Sequence, residues 1–406
     1  MRILITNNTL ANRAGTELYV RDLAIGLLER VHEPIAYSTR LGDVAQDIRG
    51  AGVLVTDNLD TLGDSPDIIH GHHHLDTMTA LLHLPSTPAI YVCHGSTPWE
   101  EAAPRFPRIL RYVAVDHACR DRLVIEHAIQ PERIRVVLNF VDLDRFKPQA
   151  QLPPHPRRAL IFSNQANEYT HTGAVRLACE RAGIALNVVG NAVSNVCAEP
   201  ESLLGNYDIV FAKGRAALEA LAVGAAVVLC DAVGAGPMVT TQNVAELRPL
   251  NFGIRALREP LSPEVLSQAI ARYDPIDAAR VSGFIRANAG RDAVIDKLLC
   301  LYQEVIDEHR QTSDRDVDSE QKAAAVYLRE LAPRLDQRDQ AMQELAVKEA
   351  ELETTRTQLG LIENSRSWRL IRRYIAIKHN QVLPAFDRVS RLRKAAAIIE
   401  SDPKAG

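Results

Sequence analysis

The chain has 406 residues, of which 46% are hydrophobic and 24% are charged, and its formal net charge is −4. This length predicts two or three folded domains, and the slightly acidic balance gives no overall indication of nucleic-acid binding. The six cysteines are scattered without a CxxC pair, and no segment has the roughly twenty apolar residues that a bilayer span requires. We therefore expect a cytoplasmic protein that is soluble or attached to a surface.

The N-terminal half alternates short apolar strands with amphipathic helices. A strand at residues 2–6 leads into a polar loop, and the next helix begins at Gly15 and Thr16 and ends near residue 30. Further strands are predicted at residues 34–38, 52–56, 67–70, 89–93, 112–115 and 134–138. This alternation predicts a parallel, doubly wound sheet, in which ligands bind at the carboxyl ends of the strands. The loop before the first helix lacks the GxGxxG fingerprint of dinucleotide-binding proteins.

Histidines follow two of these strand ends: His70, His72, His73, His74 and His94. A metal site is one interpretation, because imidazole is the commonest protein ligand for transition metals. No carboxylate or cysteine accompanies them in a known ligand spacing, so we favour partly buried, hydrogen-bonded histidines beside a cleft. His94 is the best single candidate for chemistry, because Gly95 leaves its ring facing the cleft. A purely structural histidine is the alternative.

A proline-rich linker at residues 149–158 divides the chain into domains that we place at 1–150 and 159–310. The second domain repeats the α/β alternation. Its predicted strands lie at 159–164, 185–189, 209–212 and 226–230, and its predicted helices at 172–182, 216–223, 261–271, 277–289 and 294–309.

The turn Lys213-Gly214-Arg215 lies where a predicted strand meets a predicted helix. Backbone N–H groups and the helix dipole favour an anion there, and the two cations add formal charge. Glu219 follows Arg215 by about one helical turn and so faces the same cleft. A phosphate bound at the turn and a sugar hydroxyl bound by Glu219 together describe a nucleotide diphosphate. The alternative is an ordinary crossover helix with a solvated basic turn.

Several short motifs occur in a fixed order over residues 1–310. They are Gly15-Thr16-Glu17 with Tyr19-Val20 and Leu23, the segments 67–72, 92–95, 113–116 and 137–142 with Phe146 and Pro148, and Gly190, Asp208 and the run 218–228. In this order they resemble the family 4 glycosyltransferases. The resemblance implies the GT-B fold, with two facing Rossmann-like domains, and a retaining transfer of sugar from a nucleotide diphosphate sugar to an acceptor, without a metal or other cofactor.

The resemblance also implies roles for individual residues. His94, which would contact the transferred sugar, and Glu219, which would hold the ribose, are the implied catalytic residues. The implied donor or substrate contacts are Gly15, Thr16, His72, Asn164, Gly190, Lys213, Gly214, Arg215 and Ala216.

Two departures from the family pattern keep other functions open. The first glutamate of the family's E-x7-E motif would fall at Phe211, inside a strand, and residues 163–168 lack the family's Arg and Lys-Gly pair. One alternative is a catalytically silent GT-B scaffold that works through its C-terminal coiled coil. A nucleotide-sugar 2-epimerase is the other, since it shares the fold.

The C-terminal part changes composition. Residues 320–363 predict a long helix, and leucines at heptad spacing within 321–363 predict a coiled coil with a second copy or a partner helix. A solvated single helix is the alternative.

Residues 364–406 form a basic tail. Residues 366–394 contain nine Lys and Arg against the single acid Asp387, interleaved with apolar residues. This pattern favours binding to anionic lipid at the inner face of a membrane rather than to nucleic acid. The SxSWRL run at 365–370 resembles tails of bacterial polysaccharide glycosyltransferases, which implies a glycan or lipid-linked acceptor in surface polysaccharide or glycolipid synthesis.

Overall fold

The computed structural model of the chain describes residues 1–311 and 316–377. The described chain divides into two units, one of residues 1–324 and one that begins at residue 325. The first unit contains two α/β domains, each built around one sheet. The predicted fold class, two Rossmann-like domains with doubly wound sheets, is confirmed.

The N-terminal domain contains a seven-stranded sheet. Its strands are β1 (Arg2–Thr6), β2 (Glu33–Tyr37), β3 (Leu54–Thr56), β4 (Ile68–His72), β5 (Ala89–Cys93), β6 (Ile109–Ala114) and β7 (Ile134–Val136). All neighbouring strands are parallel, in the order β3-β2-β1-β4-β5-β6-β7. The covering helices are α1 (Gly15–Glu29), α2 (Asp43–Gly50), α3 (His74–His83) and α4 (His117–Ile125). Helices on both faces explain why β5 is a continuous buried apolar run rather than an alternating one.

The C-terminal domain has a smaller sheet. Its strands are β8 (Arg158–Phe162), β9 (Ala185–Val189), β10 (Ile209–Ala212), β11 (Ala226–Asp231) and β12 (Gly234–Met238). The order is β12-β11-β10-β8-β9, and only β12 runs antiparallel to its neighbour. The helices are α5 (Thr172–Ala182), α6 (Pro200–Leu204), α7 (Gly214–Val223), α8 (Val244–Leu247), α9 (Pro263–Ile270) and α10 (Pro275–Asn288).

Strand β12 was not among the predicted elements. Its sequence, GAGPM, contains Pro237 and two glycines, which are unfavourable in a strand interior. An edge position tolerates them, because the missing N–H of a proline there costs no ladder hydrogen bond.

The helix α11 (Arg291–Gln311) packs against the N-terminal domain, although the predicted domain boundary assigns it to residues 159–310. The Tyr302 hydroxyl forms a hydrogen bond with the ring of His70, and the Arg111 guanidinium contacts Glu304 and Glu308. Gly26 of α1 permits close approach, since a Cβ there would lie 2.3 Å from the Cδ1 of Ile295. The N-terminal domain is therefore completed by a segment that follows the C-terminal domain in sequence.

Two kinds of contact join the domains. On one side, the buried Arg248 guanidinium donates to the carbonyl oxygen of Asn139, and the Asn251 amide donates to that of Val115. On the other side, Arg215 of α7 forms an ion pair with Asp22 of α1. Val115, Asn139 and Arg215 each follow the carboxyl end of a strand, so these contacts hold the edges of the two sheets that face each other.

Helices α12 (Val317–Asn364) and α13 (Arg366–Ile377) follow. None of the residues in α12 is buried. The predicted long helix is present, whereas its pairing into a coiled coil stays a prediction. Among the described helices, none combines the length and apolar composition that a bilayer span requires. Residues 378–394 of the predicted membrane-binding segment lie outside the described residues.

Gly190, at the end of β9, offers a test of how the C-terminal sheet edge is built. A Cβ at this position would lie 1.9 Å from the carbonyl oxygen of Ser163. We expect Gly190→Ala to lower the free energy of unfolding by about 2 kcal/mol or more, because the backbone must move. Thermal denaturation followed by circular dichroism measures this change. Gly173→Ala is the matched control, since a Cβ there meets nothing within 4 Å; equal melting temperatures for the two variants would contradict the expectation.

Candidate active site

A cleft of about 470 Å³ lies between the two domains. In each sheet the strand order reverses at one point, between β1 and β4 in one domain and between β8 and β10 in the other, and the cleft lies at the carboxyl ends of the strands there. Ligands of doubly wound folds bind at such switch points. The predicted site residues line this cleft, with the exceptions of Thr16 and His72.

The N-terminal wall includes the start of α1. Its N-cap residue, Ala14, provides no side-chain hydrogen bond, and Gly15 leaves the first turn open to the cleft. The Thr16 hydroxyl instead donates to the Glu17 carboxylate at 2.9 Å. Sequence reasoning missed Arg13, which also lines this wall.

The C-terminal wall includes the start of α7. The N-cap residue Lys213 makes no capping hydrogen bond, and Gly214 has a φ of +59°, a conformation that favours glycine. The N–H of Gly214 donates to the carbonyl of Phe252 at 2.9 Å. The N–H groups of Arg215 and Ala216 have no acceptor within the helix, as in any first turn. This helix start therefore suits an anion.

Lys213 forms an ion pair with Asp231, a fully buried carboxylate at the end of β11. His171 and Thr172, at the start of α5, are also buried. Within the described chain, the two ring nitrogens of His171 have no hydrogen-bond partner, and the hydroxyl of Thr172 has none either. Burial lowers the pKa of His171, and Lys213 adds to that effect while Asp231 opposes it. Unsatisfied polar groups thus lie next to the basic turn.

Arg215 does not extend freely into the cleft. Its Nε donates to the Glu219 carboxylate at 2.7 Å, and its Nη2 donates to Asp22 of α1. Arg21 and Arg145 bind the same Asp22 carboxylate, at 2.7 Å and 3.2 Å. The two domains therefore meet through a buried network of opposite charges.

This network shifts the pKa values of its two central acids in opposite directions. Burial raises the pKa of Asp22, but the guanidiniums of Arg215, Arg21 and Arg145 outweigh burial and hold it below its ordinary value. The pKa of Glu219 is raised, because burial and the nearby Asp22 exceed the effect of Arg215.

Asn164 and Gly190 lie at neighbouring strand ends of the C-terminal wall. Asn164 is exposed and lines the cleft, and its Oδ1 accepts a hydrogen bond from the N–H of Asn191 at 3.3 Å. Phe211, by contrast, is fully buried in β10. The position at which the resemblance would place a first glutamate therefore belongs to the core of this domain.

His94 is held by several contacts at the end of β5. Its Nε2 lies 2.8 Å from the Nδ1 of His72, and its backbone N–H donates to Glu101 at 2.9 Å. The ring of Tyr19 packs edge-on against it, with centroids 4.6 Å apart. His94 lines the cleft, whereas His72 is fully buried behind it.

Burial keeps these histidines neutral at physiological pH. The pKa of His70 is lowered to about 3, and those of His73 and His74 to about 4. His72 and His94 are also shifted well below the ordinary value, mainly by burial. Among the described residues, no group of three or more His, Cys, Asp or Glu side chains is arranged to hold a metal ion.

The neutral state of His70 predicts a pH dependence of stability. The unfolded chain binds a proton at this histidine below about pH 6.5, whereas the folded protein does so only near pH 3. The contribution of neutral His70 to the free energy of unfolding is therefore complete above pH 6.5 and is lost as the pH falls. The loss is about 2 kcal/mol at pH 5. We expect His70→Gln to reduce the loss of unfolding free energy between pH 7.5 and pH 5 by that amount.

Urea denaturation at the two pH values measures this difference. His83→Gln, a change at an exposed histidine, is the control. The interpretation fails if the His70 variant loses as much stability on acidification as the wild-type protein.

Comparisons with known proteins agree with this architecture. Residues 13–145 match the model of Glycosyltransferase Family 4. A glycosyltransferase from Rickettsia africae ESF-5 is similar in structure, with a TM-score of 0.56 and 16% identity over 75% of this chain and 98% of that one. Anabaena Alr3699/HepE in complex with UDP and glucose has a TM-score of 0.53 and 14% identity over 75% of this chain and 100% of that one.

A third solved structure, the sucrose-phosphate synthase of Thermosynechococcus elongatus, has a TM-score of 0.50 and 14% identity over 76% of this chain and 99% of its own. No curated protein sequence matches the chain. At such low identity these likenesses establish the fold. The chain has the GT-B fold of glycosyltransferases, and its residues 13–145 match Glycosyltransferase Family 4.

Proposed function

We propose that the protein is a glycosyltransferase that moves a sugar, with retention, from a nucleotide diphosphate sugar to a glycan or lipid-linked acceptor. The observation that carries this proposal is the convergence of two uncapped helix starts, at Gly15 and Gly214, on one cleft that also contains Lys213 and Glu219. The family match and the fold support glycosyl transfer. The Anabaena relative binds UDP and glucose, which supports a nucleotide donor.

The diphosphate would lie at the start of α7. The N–H groups of Arg215 and Ala216 and the ammonium of Lys213 offer donors and positive charge there. As the bond to the sugar breaks, negative charge grows on the diphosphate, and fixed cations and helix dipoles stabilise that charge without reorganising. Lys213 is paired with Asp231 and would exchange this partner for a phosphate oxygen.

Glu219 would bind the ribose. One of its oxygens accepts a hydrogen bond from Arg215, which leaves the other to accept from a sugar hydroxyl. His94, neutral and fixed by His72, would contact the transferred sugar from the opposite wall. A neutral imidazole can donate a hydrogen bond from one nitrogen and accept one at the other, as recognition of a hydroxyl requires.

A silent scaffold is the second candidate, and a specific observation favours it. Phe211 occupies the core where the family has an acidic residue, and both cations of the basic turn have carboxylate partners. In this hypothesis the cleft binds no nucleotide, and the long C-terminal helix carries the function through a second copy or a partner helix.

The C-terminal part would bring the enzyme to its acceptor at a membrane. In α13, the four arginines Arg366, Arg369, Arg372 and Arg373 fall within an arc of about 120° at about 100° per residue. Trp368, Leu370, Ile371, Tyr374 and Ile375 occupy the rest of the circumference. Such a helix lies in the interface of an anionic bilayer, with its apolar side in the acyl region and its arginines at the headgroups.

Nucleotide binding tests the proposed function directly. We expect UDP, GDP or ADP, or the corresponding sugar conjugate, to raise the melting temperature selectively, since a ligand at a hundred times its dissociation constant adds about 2.7 kcal/mol. Glu219→Gln should reduce the shift strongly, because the amide replaces a charged acceptor with a neutral one. Asp208→Asn, at the amino end of β10 and away from the cleft, is the control for loss of a buried carboxylate. A wild-type protein that no nucleotide stabilises would favour the silent scaffold.

Vesicle binding tests the membrane assignment. We expect replacement of the four α13 arginines by glutamine to weaken binding to phosphatidylserine-containing vesicles by about 100-fold or more, because each basic residue contributes about 1 kcal/mol. Sedimentation with vesicles measures this loss. The same change at Arg329, Arg334, Arg338 and Arg356 of α12 is the matched control. If both variants lose binding equally, general charge rather than α13 is responsible.

A further inference from the structure

Asp22 is a buried acid that belongs to neither wall of the cleft. It lies on α1 of the N-terminal domain, only 2% of its residue surface is exposed, and it is not among the residues that line the cleft. Its carboxylate nevertheless binds guanidiniums from α1, from the segment after β7 and from α7. Asp22 therefore connects parts of the chain that come together only when the domains touch.

The contact with Arg215 leads from Asp22 to the cleft. Arg215 is held at two points, by Asp22 at Nη2 and by Glu219 at Nε, and both contacts are made by one planar group. The orientation that satisfies Asp22 therefore also sets where the Glu219 carboxylate lies. Without Asp22, the pair of Arg215 and Glu219, at i,i+4 spacing on α7, would constrain the position of Glu219 only weakly.

Arg145, like Arg215, binds Asp22 and also an acid of the C-terminal domain. It donates to Asp22 at 3.2 Å and makes two bonds to Glu201 of α6, at 3.2 Å and 2.8 Å. Two elements of the C-terminal domain, α6 and α7, are thus tied to one carboxylate of the other domain. Separation of the domains would leave the Asp22 carboxylate without Arg215 and the cleft side of α7 without its anchor.

We propose that Asp22 is a positioning residue for nucleotide binding, acting on Glu219 through Arg215 across the domain boundary. The donor site is then complete only when the two domains are in contact. This inference rests on the proposed function, because it uses Glu219 as a contact to the nucleotide.

A double-mutant cycle tests the inference. The probe is UDP, GDP or ADP, whichever stabilises the wild-type protein, and its affinity is measured by calorimetry for Asp22→Asn, Glu219→Gln and the double variant. We expect Asp22→Asn to weaken binding by about tenfold, within the usual range of coupling between sites. The double variant should bind no more weakly than Glu219→Gln alone, because Asp22 acts only through that residue.

Two further variants distinguish a positioning role of Asp22 from a general loss of protein stability. Arg215→Lys keeps the charge but has no planar fork to bridge both carboxylates, so it should weaken binding about as much as Asp22→Asn. Asp208→Asn removes a different buried charge and should leave the affinity within about twofold of wild type. If Asp22→Asn fails to fold, the cycle is run with Arg215→Lys and Glu219→Gln.

The outcomes distinguish this inference from the proposed function. Wild-type affinity in Asp22→Asn, or losses that add in the double variant, would overturn the inference while nucleotide binding stands. A wild-type protein that binds none of the nucleotides would overturn both.

Discussion

The contact between the two domains depends on the neutralisation of buried charge. Asp22 is enclosed by three guanidiniums, and one of them, Arg215, comes from the opposite domain. If the domains separate, Asp22 keeps Arg21 and Arg145 but loses Arg215, and a buried charge that loses a partner is destabilised. Arg215, which lines the cleft, is therefore held by a contact across the domain boundary, and its other contact is to the neighbouring Glu219 carboxylate.

Local sequence patterns were sufficient for most of the fold. Strands β5, β9 and β10 and helix α5 lie at their predicted bounds, because each is an apolar run or an amphipathic segment of ordinary length between clear breaks. The gathering of Gly15, His94 and Lys213 around one cleft also followed from sequence, since parallel strands bring their carboxyl ends to one edge. Periodicity and topology together thus predicted the site's main walls.

What the sequence did not predict depends on contacts between distant segments. Arg215 precedes a helix and looked free to meet a phosphate, but its partner Asp22 lies 193 residues away and no local pattern indicates it. His72 was expected in the cleft and is buried behind His94, because β4 is covered on both faces and its alternation does not distinguish them. Glu219 favours an enzyme, whereas Phe211 and the carboxylate partners of Lys213 and Arg215 favour a silent scaffold. No one of these residues decides between the two functions by itself.

The position of α11 has a consequence for synthesis of the chain. Tyr302 lies 232 residues after His70, yet the two are hydrogen-bonded in the N-terminal core. While a ribosome is still making the C-terminal domain, the N-terminal sheet has an uncovered apolar surface where α11 will pack, and domains usually fold in order from the N-terminus. Completion of the N-terminal domain thus waits until the C-terminal domain and α11 have been synthesised, and its apolar surface stays exposed until then.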